Sequence, residues 1–114
     1  MENTSHLFIL WTSDNFETFD EMVYMYAYNG KKLKWWEEIT MVIWGASARL
    51  AGKDEVVQLK IKELIEVGVK VEACRACADD LGVSEKLDSL GVVVKYWGQP
   101  LTKILKSGAK LITI

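Results

Sequence analysis

The chain holds two cysteines, and both lie in one Cys-x-x-Cys segment, at Cys74 and Cys77. A run typical of a buried strand, Val69 to Ala73, ends directly before Cys74, and a short helical pattern follows. The first thiol is therefore predicted to lie where a strand ends and a helix begins. Unpaired backbone N–H groups and the helix dipole favour a thiolate there. We predict that Cys74 and Cys77 are catalytic, with Cys74 as the reactive thiol.

Other roles for these cysteines imply different chemistry. Free cysteines often behave as small hydrophobic side chains that are buried in the core, with no chemical role. A Cys-x-x-Cys at a helix start is also typical of thioredoxin-type dithiols, although that fold presents it earlier in the chain. A structural zinc site needs four ligands, whereas the chain offers two cysteines and one histidine, His6, so we expect no metal. Neither glycine-rich motif for nucleotide phosphates is present, and we expect no cofactor.

Strand and helix patterns alternate along the chain and would position these thiols. Apolar runs predict strands at 7–11, 39–44, 69–73, 92–97 and 111–114. Ser13 or Asp14 can cap a first helix, and Gly68 closes a second. A last helix has Pro100 in its first turn and Gly108 after its end. The alternation predicts an α/β fold whose five-stranded parallel sheet is covered on both faces.

Three tryptophans close predicted strands, as Cys74 does. Ligands of open α/β sheets bind outside the carboxyl ends of the strands, so these side chains would share the functional edge. The indoles either fill the top of the core, since tryptophan is usually buried, or form an apolar vestibule that shields a reactive sulfur from water. The candidate pocket walls are Trp11, Trp44, Ser47, Arg75 and Trp97.

Composition excludes several classes of protein. The length of 114 residues, half of them hydrophobic, fits one domain over 1–114. A formal net charge of −2 provides no basic field for phosphate backbones, so we expect no nucleic-acid partner. No apolar run approaches the roughly 20 residues of a membrane span, and the first residues lack a signal-peptide pattern. The missing span leads us to expect no membrane partner. Two cysteines three residues apart would make a poor structural disulfide, so we expect a reducing, cytoplasmic location.

The first predicted helix is apolar on more than one side. Tyr24, Met25 and Tyr28 add a second apolar face to the one that would pack on the sheet. In a domain of this size, a contact between subunits is one way to bury such a face. We therefore expect a homo-oligomer.

Several segments of the chain resemble the DsrE/DsrF-like sulfur-relay family. The similarity spans most of the length, and its most specific part is the block that runs from Gly68 through Cys74 and Cys77 to Val83. Shorter matching segments are Trp44-Gly45-Ala46-Ser47, Gly91-Val92-Val93-Val94 and the ending from Pro100 to Gly108 with its closing strand.

The resemblance implies a three-layer α/β/α domain that assembles into trimers or hexamers. It also implies a persulfide on the cysteine that opens the helix after the third strand, a position that Cys74 matches. Cys77 matches a second cysteine found in some members only. The partners of such a carrier are a sulfur donor and a sulfur acceptor of unknown identity. Two alternatives stay open: a thiol/disulfide redox protein that uses Cys74 and Cys77, and a non-catalytic oligomeric module that binds a small ligand at the tryptophan edge.

Overall fold

The computed structural model describes residues 5–114, and its centre is a five-stranded sheet in the order β4-β3-β2-β1-β5. All four neighbouring pairs of strands are parallel. The strands are β1 (His6–Trp11), β2 (Glu38–Ile43), β3 (Lys70–Cys74), β4 (Val93–Lys95) and β5 (Lys110–Thr113). The predicted α/β fold with five parallel strands is confirmed. The predicted domain, 1–114, includes residues 1–4, which lie outside the described residues.

The first helix consists of three successive helical segments. They are α1 (Phe16–Thr18), a π-helical segment (Phe19–Tyr24) and α2 (Met25–Lys32). The prediction that Ser13 or Asp14 caps this helix is wrong. Asn15 is the cap, and its side chain accepts a hydrogen bond from the Thr18 N–H at 2.8 Å. The Ser13 hydroxyl instead accepts a hydrogen bond from the N–H of Asn15, the residue before the first residue of α1.

Five further helices follow within residues 5–114, and one of them, α3, is not among the predicted elements. Gly68, with φ +108°, ends α4 as predicted, because this left-handed conformation suits glycine. Pro100 lies in the first turn of α7, and Gly108, with φ +76°, follows its end. The bounds are α3 (Ser47–Lys53), α4 (Glu55–Val67), α5 (Arg75–Asp80), α6 (Ser84–Ser89) and α7 (Gly98–Lys106).

The two faces of the sheet are covered unequally. The connections from β1 to β4 step across the sheet in one direction, so right-handed crossovers place their helices on one face. The connection from β4 to β5 returns in the opposite direction, which places α7 on the other face. On that face a small cluster contains Val42, Cys74 and Trp97, with Leu101 and Ile104 of α7 packed against it. Among the residues that the structure describes, the cysteine side of the sheet is therefore covered by one helix of nine residues.

Ser47 joins the ends of β1 and β2. Its side chain is fully buried, and its hydroxyl donates to the Trp11 carbonyl at 2.6 Å. The Trp44 N–H donates to the same hydroxyl at 3.2 Å, and the Ser47 N–H donates to the Thr12 carbonyl at 3.1 Å. The turn between strand and helix passes through Gly45, whose φ of +78° is left-handed. Ser47 thus connects the carboxyl ends of β1 and β2, at the edge of the sheet where the candidate site lies.

We predict that Ser47→Ala lowers the free energy of unfolding by about 1 kcal/mol, because the Trp11 carbonyl loses the hydrogen bond from the buried Ser47 hydroxyl and keeps only the one from the Trp44 N–H. Urea unfolding would measure it. The matched control is Ser89→Ala, which removes an exposed hydroxyl bonded to the Lys86 carbonyl and should change stability by no more than about 0.5 kcal/mol. Equal effects of the two substitutions would contradict this role for Ser47.

Candidate functional site

Cys74 lies where the sequence predicts it. It is the last residue of β3 and the residue that precedes the first turn of α5. Its side chain is only 4% exposed. However, α5 has six residues, and the Cys74 side chain makes no capping hydrogen bond to it. The helix start therefore positions the thiol but does not hold it through the predicted N–H contacts.

Cys77 lies on the same small apolar cluster as Cys74. It sits in α5, one turn along, and its side chain is more exposed than that of Cys74. Both cysteines are free, with no disulfide between them. Two thiols against one cluster, on a single helical turn, are suited to exchange sulfur or electrons with each other.

Trp11 does not face Cys74. In the parallel ladder Trp11 pairs with Ile43, and Ile43 pairs with Ala73. Side chains of paired residues leave the same face and successive side chains alternate, so Trp11 and Ala73 share a face that Cys74 does not. Trp11 is fully buried in the large core and lies 4.6 Å from the ring centre of Phe19. The structure thus separates this tryptophan from the predicted vestibule.

Trp44 and Trp97 lie in the same cluster as Cys74. Trp44 follows the last residue of β2. Trp97 was expected to close β4, but β4 ends at Lys95, and Trp97 instead precedes the first turn of α7. Its ring is 3% exposed, and its indole N–H donates to Glu72 Oε1 at 2.9 Å. These two indoles belong to the cluster of the thiol, and the third predicted tryptophan, Trp11, does not.

The two remaining predicted wall residues are bonded to the scaffold. Ser47 directs its hydroxyl at the Trp11 carbonyl. The Arg75 guanidinium donates to the Val94 carbonyl at 2.8 Å and lies 3.8 Å from the Asp79 carboxylate. Arg75 therefore ties α5 to β4, next to Cys74 in the chain.

Sequence reasoning missed Glu72 and Lys95, which lie on the same side of the sheet as Cys74. Glu72 precedes Cys74 by two residues on one strand, so both side chains leave the same face. Lys95 is the residue that pairs with Cys74 in the ladder between β3 and β4. The alternation within β3 could have identified Glu72, whereas Lys95 required the register between two strands.

The described residues also limit other kinds of site. Within residues 5–114, no group of three or more His, Cys, Asp or Glu side chains is arranged to hold a metal ion. In the same range, no helix is both long and apolar enough to cross a membrane.

Comparison with solved structures identifies two similar chains. The conserved protein of unknown function BT1422 from Bacteroides thetaiotaomicron is 42% identical, with a TM-score of 0.97 over 100% of this chain and 98% of that one. The protein of unknown function MTH1491 from Methanobacterium thermoautotrophicum is 16% identical, with a TM-score of 0.70 over 96% of this chain and 98% of that one, and shares the fold. A search of curated proteins found no match.

A family model supports the resemblance described from the sequence. The model of the DsrE/DsrF-like family matches residues 7–114. This range includes both cysteines and all five strands, apart from His6, the first residue of β1. The parallel sheet and the cysteine at the end of β3 agree with this match. The chain therefore belongs to the DsrE/DsrF-like family.

Proposed function

We propose that this protein is a sulfur carrier that holds sulfur as a persulfide on Cys74. The observation that carries the proposal is the position of Cys74, which ends β3 and opens α5 in a chain of the DsrE/DsrF-like family. Its low exposure and apolar neighbours suit a bound sulfur that must be kept from other thiols in solution.

Loading requires no net oxidation or reduction. The Cys74 thiolate attacks the outer sulfur of a persulfide on the donor protein, and a new S–S bond forms on Cys74. The S–S bond of the donor breaks, and the donor leaves as a thiolate that takes up a proton. Transfer to an acceptor thiol repeats the same exchange in the other direction.

Cys77 offers a second way to release the sulfur. Its thiolate attacks the inner sulfur of the Cys74 persulfide and forms a disulfide between the two cysteines, while the outer sulfur leaves as hydrosulfide. A dithiol reductant then supplies the two electrons that restore both thiols. The position of both cysteines on one apolar cluster supports this step.

A second candidate, dithiol redox chemistry, draws on the same pair of thiols. The disulfide between Cys74 and Cys77 would then be the working oxidised state and not the product of sulfur release. Intact mass after incubation with a persulfide donor separates the alternatives. A gain of one sulfur atom, in the unmodified protein or in Cys77→Ser, supports the carrier. A loss of two hydrogen atoms in the unmodified protein, together with no sulfur gain in Cys77→Ser, supports redox chemistry, because the internal release step cannot remove the sulfur in that variant. An unchanged mass supports the non-catalytic binding module.

We also propose that the protein is a homo-oligomer, in agreement with the trimers or hexamers that the family resemblance implies. The first-helix face proposed from the sequence is partly occupied within the chain. The Tyr24 hydroxyl donates to Glu63 at 2.9 Å, and Lys60 Nζ lies 4.6 Å from the centre of the tyrosine ring. Burial and the hydrogen bond to Glu63 raise the pKa of Tyr24 to about 12. Met25, by contrast, remains exposed.

The α7 side of the sheet is the better candidate for the contact between subunits. Parallel sheets are almost always covered on both faces, and here one short helix covers this one. Val93 on β4 is 54% exposed and Leu105 on α7 is 56% exposed, while Phe8 and Leu10 on β1 are only partly buried. A second subunit on this side would also cover the surroundings of Cys74.

Sulfur loading should depend on Cys74 and not on Cys77. We expect that Cys74→Ser abolishes the gain of sulfur, whereas Cys77→Ser keeps it and prolongs the lifetime of the persulfide, because the internal release step is lost. Intact mass spectrometry over time after removal of the donor would measure both. Sulfur uptake by Cys74→Ser at the rate of the unmodified protein would rule out the mechanism.

Limited alkylation near neutral pH tests which thiol is activated. Exposure alone favours Cys77, because Cys74 is 4% exposed. We expect Cys74 to be labelled first, since the proposal requires it to be the thiolate nucleophile. Trypsin cleaves after Arg75, so the two cysteines lie on separate peptides and each can be quantified. Faster labelling of Cys77 would show that solvent access, and not activation of Cys74, determines the order of alkylation.

The oligomer is tested by light scattering at micromolar concentration. We expect a mass well above the 12.9 kDa of one chain. Leu105→Glu should lower this mass because a charge would be buried in the proposed contact, and Met25→Glu, on the first helix, should not. A lower mass for Met25→Glu alone would place the contact on the first helix instead.

A further inference from the structure

The ladder between β3 and β4 places a lysine directly beside Cys74. Cys74 and Lys95 are paired residues in this ladder. Neighbouring strands lie about 4.8 Å apart, and the side chains of paired residues leave the same face of the sheet. The stem of Lys95 therefore begins next to that of Cys74, on the lightly covered side of the sheet.

Glu72 holds the Lys95 ammonium group on this face. Lys95 Nζ lies 3.1 Å from Glu72 Oε1 and 5.7 Å from the ring centre of Trp97. The same carboxylate oxygen accepts the Trp97 indole N–H at 2.9 Å. The Glu72 side chain is 16% exposed and that of Lys95 is 49% exposed. A partly buried carboxylate thus anchors both a cation and an indole beside the thiol.

A sulfur anion at Cys74 needs a nearby positive charge. The side chain is almost completely buried, and a buried charge is costly unless it is paired. The thiolate that accepts sulfur and the persulfide that carries it are both anions. The start of α5 makes no hydrogen bond to this side chain, and Arg75 is bonded to the Val94 carbonyl and lies near Asp79.

We infer that Lys95 is the residue that neutralises the anionic sulfur of Cys74, and that Glu72 is a positioning residue that keeps the ammonium group within reach of it. The inference rests on the proposed function and assigns a role to two residues of that site. The flexible four-carbon stem of lysine lets Nζ lie between the carboxylate and the sulfur. The same cation serves the thiolate and the persulfide, since both carry one negative charge.

The test compares two alkylating reagents of similar size on Cys74 in a Cys77→Ser background. Iodoacetate is an anion and iodoacetamide is neutral. A cation beside the sulfur therefore increases the rate of alkylation by iodoacetate relative to the rate by iodoacetamide, and this quotient is the ratio compared between variants. Any opening needed to reach the buried thiol affects both reagents alike. Lys95→Met should lower this ratio about two- to five-fold at low salt, the size expected for a partly exposed charge pair. The difference should shrink at high salt.

Matched variants separate charge from structure. Lys95→Arg should keep the ratio within about twofold of the parent, since the positive charge remains. Lys62→Met removes an equivalent charge from an exposed position on α4 and should leave the ratio unchanged. Glu72→Gln keeps an oxygen for the Trp97 indole but no longer anchors the Lys95 ammonium group, so Lys95→Met should change the ratio less in the Glu72→Gln background than in the parent. These variants keep the inference falsifiable even if Lys95→Met folds poorly.

Two results would overturn the inference. One is a ratio for Lys95→Met equal to that of Lys62→Met, which rejects the role of Lys95. The other is an effect of Lys95→Met that is as large in the Glu72→Gln background as in the parent, which rejects the positioning role of Glu72. Sulfur loading, measured by intact mass, is scored separately. Loading of the parent protein together with an unchanged Lys95→Met ratio would reject the role of Lys95 and leave the carrier standing. If the parent protein never gains sulfur but Lys95→Met still lowers the ratio, the carrier function is rejected and the role of Lys95 stands.

Discussion

The right-handed crossover between parallel strands is the constraint on which the rest of this structure depends. Because the chain steps from β1 to β4 in one direction and then returns to β5, this rule places α7 on one face of the sheet and the other crossover helices of residues 5–114 on the opposite face. Cys74 points to that face, whereas the large core lies on the other. The same topology thus places the thiol on the face that α7 covers.

Burial and charge act together on this thiol. Val42 and Trp97 pack around Cys74 and exclude water, which protects a reactive sulfur but makes its negative charge costly. The short helix that follows Cys74 makes no hydrogen bond to the side chain. Lys95, which pairs with Cys74 between β3 and β4 and is held by Glu72, is the cation that we infer to offset this charge. The proposed carrier therefore depends on a contact between two strands as much as on the Cys-x-x-Cys segment.

The sequence predicted features that are contiguous along the chain and missed those that depend on register. The strand, Cys74 and the following helix are neighbours in sequence, so their order was readable. Trp11 also closes a strand, but only the pairing with Ile43 and Ala73 shows that it points to the opposite face. Helix α3 was missed because Gly45-Ala46-Ser47 has the composition of a turn, and the turn does lead into the helix. Lys95 had no local signal, since its role arises from the pairing of β3 with β4.

The central claim is that Cys74 carries the sulfur, and locating the added sulfur by peptide mass spectrometry tests it most directly. The protein is incubated with a persulfide donor, the sulfur is trapped by alkylation, and trypsin is added. Cleavage after Lys70, Arg75 and Lys86 places Cys74 and Cys77 on the separate peptides 71–75 and 76–86. The account predicts one additional sulfur atom on peptide 71–75. Sulfur found only on peptide 76–86, or on no peptide even in Cys77→Ser, where the internal release step cannot occur, would contradict it.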